Sequence, residues 1–138
     1  MSDAFINLAI SPNWEEMPSG NVQALMRRNR TNNNVLQISF TRSLTGRPLS
    51  PPPDPVEMAA ALVRQQGGRA DQGFEGQCAV GKFGRVIYSA DKLAYGEAWI
   101  VTDGSHLFLA TFSCNASPSA EELREVAEMV TSVTWPKG

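Results

Sequence analysis

His106 is the only imidazole in this 138-residue chain, so a histidine base or a histidine metal ligand could be no other residue. Asp103 and Ser105 stand beside it, and the three residue types are those of a hydrolytic triad. Their spacing argues against that chemistry, because neighbours along a strand point to opposite faces and cannot form the required chain of hydrogen bonds. His106 is expected as a surface histidine at a hairpin end, with no catalytic role. Cys78 and Cys114 add neither a C-x-x-C pair nor an H-E-x-x-H helix, so no metal or other cofactor is expected. In a reducing compartment two such thiols act as small hydrophobes more often than as a bridge.

Arginine offers a second kind of chemistry. Arg27, Arg28 and Arg30 approach Thr31-Asn32-Asn33-Asn34 from one side and Arg42 leaves on the other, so a local basic rim is expected. Arginine forks pair carboxylates well, which makes the rim, with Trp14, the candidate contact for an acidic protein partner. The bland alternative for the arginines is a solvated rim, and for Trp14 a plug over the end of a core. Gly81-Lys82-Phe83-Gly84 spells a GxxG, but it lies between strand-like runs and reads as a hairpin, not a nucleic-acid clamp. Arg47-Pro48-Leu49-Ser50-Pro51 has the form of a polyproline ligand, although a rigid crossover explains it equally well. Walker and dinucleotide fingerprints are absent. Asn115-Ala116-Ser117 matches a glycosylation acceptor that has no use in a cytosolic chain.

The elements that must position these residues follow from pattern. The whole chain, residues 1–138, is of a size for one domain. Its net charge of -2 provides no global field for nucleic acid or an anionic membrane. No window approaches a membrane span, and the opening residues read as a mature first strand, so a cytoplasmic location is expected. The run YGEAWIVTDGSHLFLATFSC, Tyr95 to Cys114, predicts a hairpin turning at Asp103-Gly104. A two-residue turn there sets Thr102 opposite Ser105, Ile100 opposite Leu107 and Trp99 opposite Phe108. Both faces of this ribbon are apolar, which predicts central strands in a sheet covered on both sides.

Phe5 to Ile10 alternates as a short strand ended by Ser11-Pro12-Asn13. Val22 to Arg30 and Val35 to Arg42 predict a hairpin about Thr31-Asn32-Asn33-Asn34, because asparagine tolerates the left-handed conformations that tight turns require. A third hairpin is expected from Phe74–Val80 and Phe83–Ser89 about Gly81-Lys82. The proline-rich segment 46–55 excludes helix and central strand and reads as a stiff extended loop. Asp54-Pro55-Val56-Glu57 then signals a helix start, with Met58, Ala59, Leu62 and Val63 on its buried face and Gly67-Gly68 as its stop. Ser117-Pro118 opens a second helix with Leu123, Val126, Ala127 and Val130 inward and its glutamates outward. The closing Val133-Thr134-Trp135 is expected to pack back on the domain. These elements predict an α+β sandwich.

Taken in order, the strand ending in SPNW at Ser11 to Trp14, the asparagine hairpin with VLQISFTR, the helix after a proline loop, EAWIVTDGSHLFLATFSC and the final SVTW at Ser132 to Trp135 resemble the PsbP-like superfamily. That superfamily includes the photosystem II extrinsic subunit, Ran-binding import factors of the Mog type and bacterial proteins of the DcrB type. The resemblance implies a mostly antiparallel central sheet of about six strands with helices packed on both faces, the αβα sandwich of that fold. It also implies a family that works by binding proteins, some small bacterial members being chaperone-like adaptors for type VI secretion effectors. The expectation is a non-enzymatic protein-binding domain using a sheet face or the proline loop. Its partner is another protein, with a second copy of the chain also a candidate, and neither nucleic acid nor a membrane span is expected. The alternatives are a binder of small apolar molecules, with a pocket between sheet and helix near Trp14 or Trp99, and a hydrolase with an unrecognised site.

Overall fold

The computed structural model describes residues 8–17, 23–28, 32–42, 54–103 and 106–134, with residues 40–42 described by their backbone. In chain order the elements are β1 (Trp14–Met17), β2 (Gln23–Arg27), β3 (Val35–Arg42), α1 (Pro55–Gln65), β4 (Arg69–Cys78), β5 (Gly81–Ser89), β6 (Tyr95–Thr102), β7 (His106–Cys114) and α2 (Ala120–Thr131). The strands form one sheet in the order β1-β2-β3-β7-β6-β5-β4, antiparallel at every pairing. This makes seven strands where about six were expected. The loop from Gly46 to Pro53 lies outside the described residues, as do residues 1–7 and Trp135.

Alternation along β6 shows how the layers are built. Trp99 and Val101 join a core with Trp14, Leu25, Leu36, Phe108 and Phe112 under Val126, Met129 and Val130 of α2. Ala98 and Ile100 join a second core with Val86 and Tyr88 under Ala59, Ala60 and Val63 of α1. Successive strand residues point to opposite faces, so each helix lies on its own face. Helices on both faces were expected; there is one helix on each face, over part of the sheet. α1 packs on β4, β5 and β6, whereas the core under α2 draws on β1, β2, β3, β7 and β6. Two half-faces carry no helix among the described residues.

Helix ends follow side-chain chemistry. Asp54 caps α1, its Oδ1 accepting from Val56 N at 2.9 Å and Glu57 N at 3.3 Å, with Pro55 in the first turn. Gly67, at φ +84°, turns the chain out of α1 in a conformation that favours glycine. For α2 the cap is Ser119, two residues beyond the expected Ser117. Glu122 decides this, because it completes a capping box with Ser119, whereas Ala120 stands three residues after Ser117.

Several expected turns moved. Leu8 to Ile10 are not strand, while Phe5 to Asn7 of the expected first strand lie outside the described residues; Trp14 itself begins β1, after a turn in which its N donates to Ser11 O. In the β6–β7 ribbon Thr102 pairs with Leu107, Val101 with Phe108 and Ile100 with Leu109. Each partner is two residues further along than a tight Asp-Gly turn gives. The Asp103 carboxylate accepts from His106 N at 2.8 Å, which widens the connection. A shift of two keeps every side chain on its face, so the two-sided burial survives the error.

The β4–β5 turn lies at Ala79-Val80, since Cys78 already pairs with Gly81. Gly81 and Gly84 are strand glycines. A Cβ on Gly81 would run into the Thr102 carbonyl, and one on Gly84 would run into the Pro55–Val56 peptide, so their role is close backbone approach. Asn33 and Asn34 do not take the left-handed conformation. Asn34 works through its side chain: it is buried and its amide bonds Ala116 O, Ala116 N and Glu122 Oε2.

Candidate functional site

The arginine rim is divided, and the two arginines whose side chains are described both meet carboxylates. At the β1–β2 edge the Arg27 guanidinium donates to Glu121 at 2.9 Å and to Glu125 at 3.1 Å. Arg28 donates to Pro12 O and lies 3.7 Å from Glu15. Arg42 ends β3 beside His106, at the opposite end of the strand from the asparagine turn, so it does not join Arg27 and Arg28. Arg30 lies outside the described residues. Trp14 is 1% exposed, and its Nε1 donates to Glu125 Oε1 at 2.9 Å. It is a core residue with no surface for a partner.

Glu125 is the centre of this corner, and sequence reasoning placed it on the outer face of α2. Its carboxylate accepts from Asn13, Trp14 and Arg27 and joins α2 to the β1–β2 edge. Burial alone would raise its pKa, but those hydrogen bonds and the Arg27 charge outweigh it and hold the group below its usual 4.5. Glu122 is buried in the same way, between Ser119 N and Asn34.

A second cluster occupies the half-face of β4, β5 and β6 opposite α1. Glu97 is fully buried; its Oε2 accepts from Nε and Nη2 of Arg85 and from Tyr95 Oη at 2.6 Å, and its Oε1 accepts from Trp99 Nε1 at 3.0 Å. The guanidinium of Arg85 lies 5.2 Å from the Phe74 ring centre and 5.6 Å from that of Trp99. Burial, reinforced by Glu97, raises the Tyr95 phenol well above its usual range. The result is a cation held between two rings and neutralised by a buried carboxylate. Phe74, at the sheet edge, is 43% exposed.

The other uncovered half-face carries an apolar groove of about 290 Å3 beside α1. Met58, Ala61, Leu62 and Gln65 form its helical wall, and Ile100, Leu107 and Leu109 form its floor. The helical positions recur at i, i+3, i+4 and i+7, one stripe of a helix. Met58 and Leu62 were expected in the core beneath α1; they are only partly buried and point toward this groove. The groove is on the opposite face from Trp14 and Trp99.

The remaining candidates resolve simply. Asp103 Oδ2 lies 3.0 Å from His106 Nδ1, a closer contact than strand alternation suggested, because Asp103 sits in the connection and not in the strand. Ser105 lies outside the described residues. Cys78 and Cys114 are free thiols, and burial pushes the Cys114 thiol up to about 12. Asn115 accepts from Asn33 N at 2.9 Å. Among the described residues no three of His, Cys, Asp and Glu gather as a metal site, and no helix is long and apolar enough to cross a membrane.

No family model matches the chain, and no curated protein matches it. Solved structures do. The solution structure of cyanobacterial PsbP (CyanoP) from Synechocystis sp. PCC 6803 superposes with a TM-score of 0.60 at 9% identity, covering 98% of this chain and 95% of that one. A crystal structure from Bacteroides thetaiotaomicron VPI-5482 gives 0.53 at 13% identity, covering 97% of this chain. This chain spans 46% of the Bacteroides protein's length. The likeness shows a PsbP-like fold, and at these identities it concerns the fold alone.

Proposed function

We propose that this chain is a non-enzymatic, cytoplasmic protein-binding domain of the DcrB-like or Mog-like kind, an adaptor or chaperone that holds an apolar segment of another protein. Secreted effectors of the type VI system are the partner class suggested by the resemblance. The observation that carries the reading is the groove between α1 and the β6–β7 ribbon, an apolar channel on a half-face that carries no helix among the described residues. Its helical stripe and strand floor suit an amphipathic helix laid alongside α1. The arginine rim supports it less, because Arg27 already has its carboxylates.

Affinity capture from the native host, followed by mass spectrometry, tests this with Leu62→Glu as the control. The expected result is a protein retained by the parent chain and lost by the variant at an unchanged melting temperature. Retention of the same proteins by both chains would place binding elsewhere. The small-ligand reading was expected near Trp14 or Trp99 and finds its apolar lining instead in this groove on the opposite face, between sheet and helix. A lipid-like mass bound to the purified protein in native mass spectrometry would favour it. For the enzymatic alternative, His106→Gln should leave both fold and capture unchanged. An activity in a hydrolase or transferase screen that this variant abolishes would defeat the binding reading.

A further inference from the structure

Strand β4 is an edge of the sheet, with β5 on one side and no strand on the other among the described residues. It is also the longest strand, 10 residues against 4 in the other edge strand β1. A long edge presents a row of backbone donors and acceptors that another strand can take up, and natural proteins usually blunt it. Here Asp71 does so at one end, where the register with β5 shifts. From Gln72 to Cys78 the only charge is Glu75, and the exposed Phe74 ring stands at the rim beside Arg85.

We propose that a second copy of this chain adds to the sheet at β4, antiparallel, with Phe74 on the two-fold axis. The register follows from elementary geometry. A two-fold axis normal to the sheet keeps each side chain on its face, so facing residues must share a face, and the axis must pass beside a residue and not between two. The two centres that engage the greatest length of the strand are Gly73 and Phe74. Centring on Gly73 sets Asp71 against Glu75 of the second copy, a like-charge pair made twice. Centring on Phe74 sets Phe74 against itself, Gly73 against Glu75, Gln72 against Gly76 and Asp71 against Gln77, with no like charges opposed. That register closes the exposed ring on its own copy as an aromatic cross-strand pair.

Gly76 contributes to the fit. The Phe83 ring lies directly over it, where a Cβ would collide, so the aromatic surface reaches the strand edge. Across the seam this ring meets the side chain of Gln72 of the second copy. The assembly leaves the α1 groove free, because the groove is floored by β6 and β7.

Sedimentation equilibrium on the intact protein tests the proposal. The expected particle has twice the 15.0 kDa chain mass at high concentration. Phe74→Glu should weaken the dimer by at least about tenfold, since it sets two carboxylates face to face. A monomer at every concentration up to about 1 mM overturns the proposal. A dimer that Phe74→Glu leaves intact overturns the surface. If circular dichroism shows that Phe74→Glu fails to fold, crosslinking decides. In a Cys78→Ser background Phe74→Cys should form an intermolecular disulfide with oxidised glutathione, because facing Cα atoms at about 4.5 to 5.5 Å are within reach. Gln77→Cys, off the axis, should not. Equal crosslinking at both positions, or none at Phe74, rejects the register.

Discussion

Phe108 illustrates what a single residue's pattern reveals. Its strand, HLFLATFSC, is apolar on both faces, so its burial in a sheet covered on both sides was legible from sequence, and it is fully buried on the α2 side. Phe108→Ala should cost about 3 to 5 kcal/mol in urea unfolding, the sum of lost transfer energy and a cavity. A loss below about 1 kcal/mol would mean the site collapses around the smaller side chain or is not core. Glu125 was illegible for a physical reason: its donors come from residues about a hundred positions away, and no local pattern announces them. Because its folded pKa is held below 4.5, its contribution is present above that pH and lost as pH falls through the folded value. Stability of the parent chain should therefore decline below about pH 4.5, and Glu125→Gln, less stable at neutral pH, should show a shallower decline. Parallel curves for the two proteins would show that the carboxylate is not held as described.

At the scale of elements, existence was easier to read than boundaries. Both helices, the central ribbon and the hairpins were legible because apolar periodicity and proline or aspartate caps are local signals. The β4–β5 turn was misread because a glycine served packing. Gly81 looked like a turn residue, yet it lies in β5 against the Thr102 carbonyl. Gly84 is the clearer case, since the first turn of α1 lies directly on it, and this contact fixes how closely α1 approaches the sheet. Gly84→Ala should destabilise the domain by about 1 to 3 kcal/mol through overpacking, even though alanine suits a strand no worse than glycine. A neutral result in thermal unfolding would show that α1 can shift outward without loss. The apolar groove beside α1 was half legible. Met58 and Leu62 were assigned to the core because a helical stripe shows which residues are apolar, but not how far the sheet beneath extends.

For the whole molecule, β6 decides whether the protein is one cooperative unit. Each core covers a different part of the sheet: Leu25, Leu36 and Phe112 under α2, Val86 and Tyr88 under α1. Such an arrangement could separate into two halves if nothing joined them. β6 joins them, with Trp99 and Val101 in one core, Ala98 and Ile100 in the other, and every residue from Gly96 to Thr102 buried. Local opening of either half therefore exposes side chains that the other half also needs packed. Native-state hydrogen exchange should find the slowest amides in β6 and its partner stretch of β7, exchanging only through global unfolding. Val63→Ala beneath α1 and Val130→Ala beneath α2 should each lower that same limiting free energy and leave a single unfolding transition. If Val63→Ala instead accelerates exchange in β4 and β5 alone, with β6 and β7 unchanged, the two cores fold as separate units and β6 belongs to only one of them.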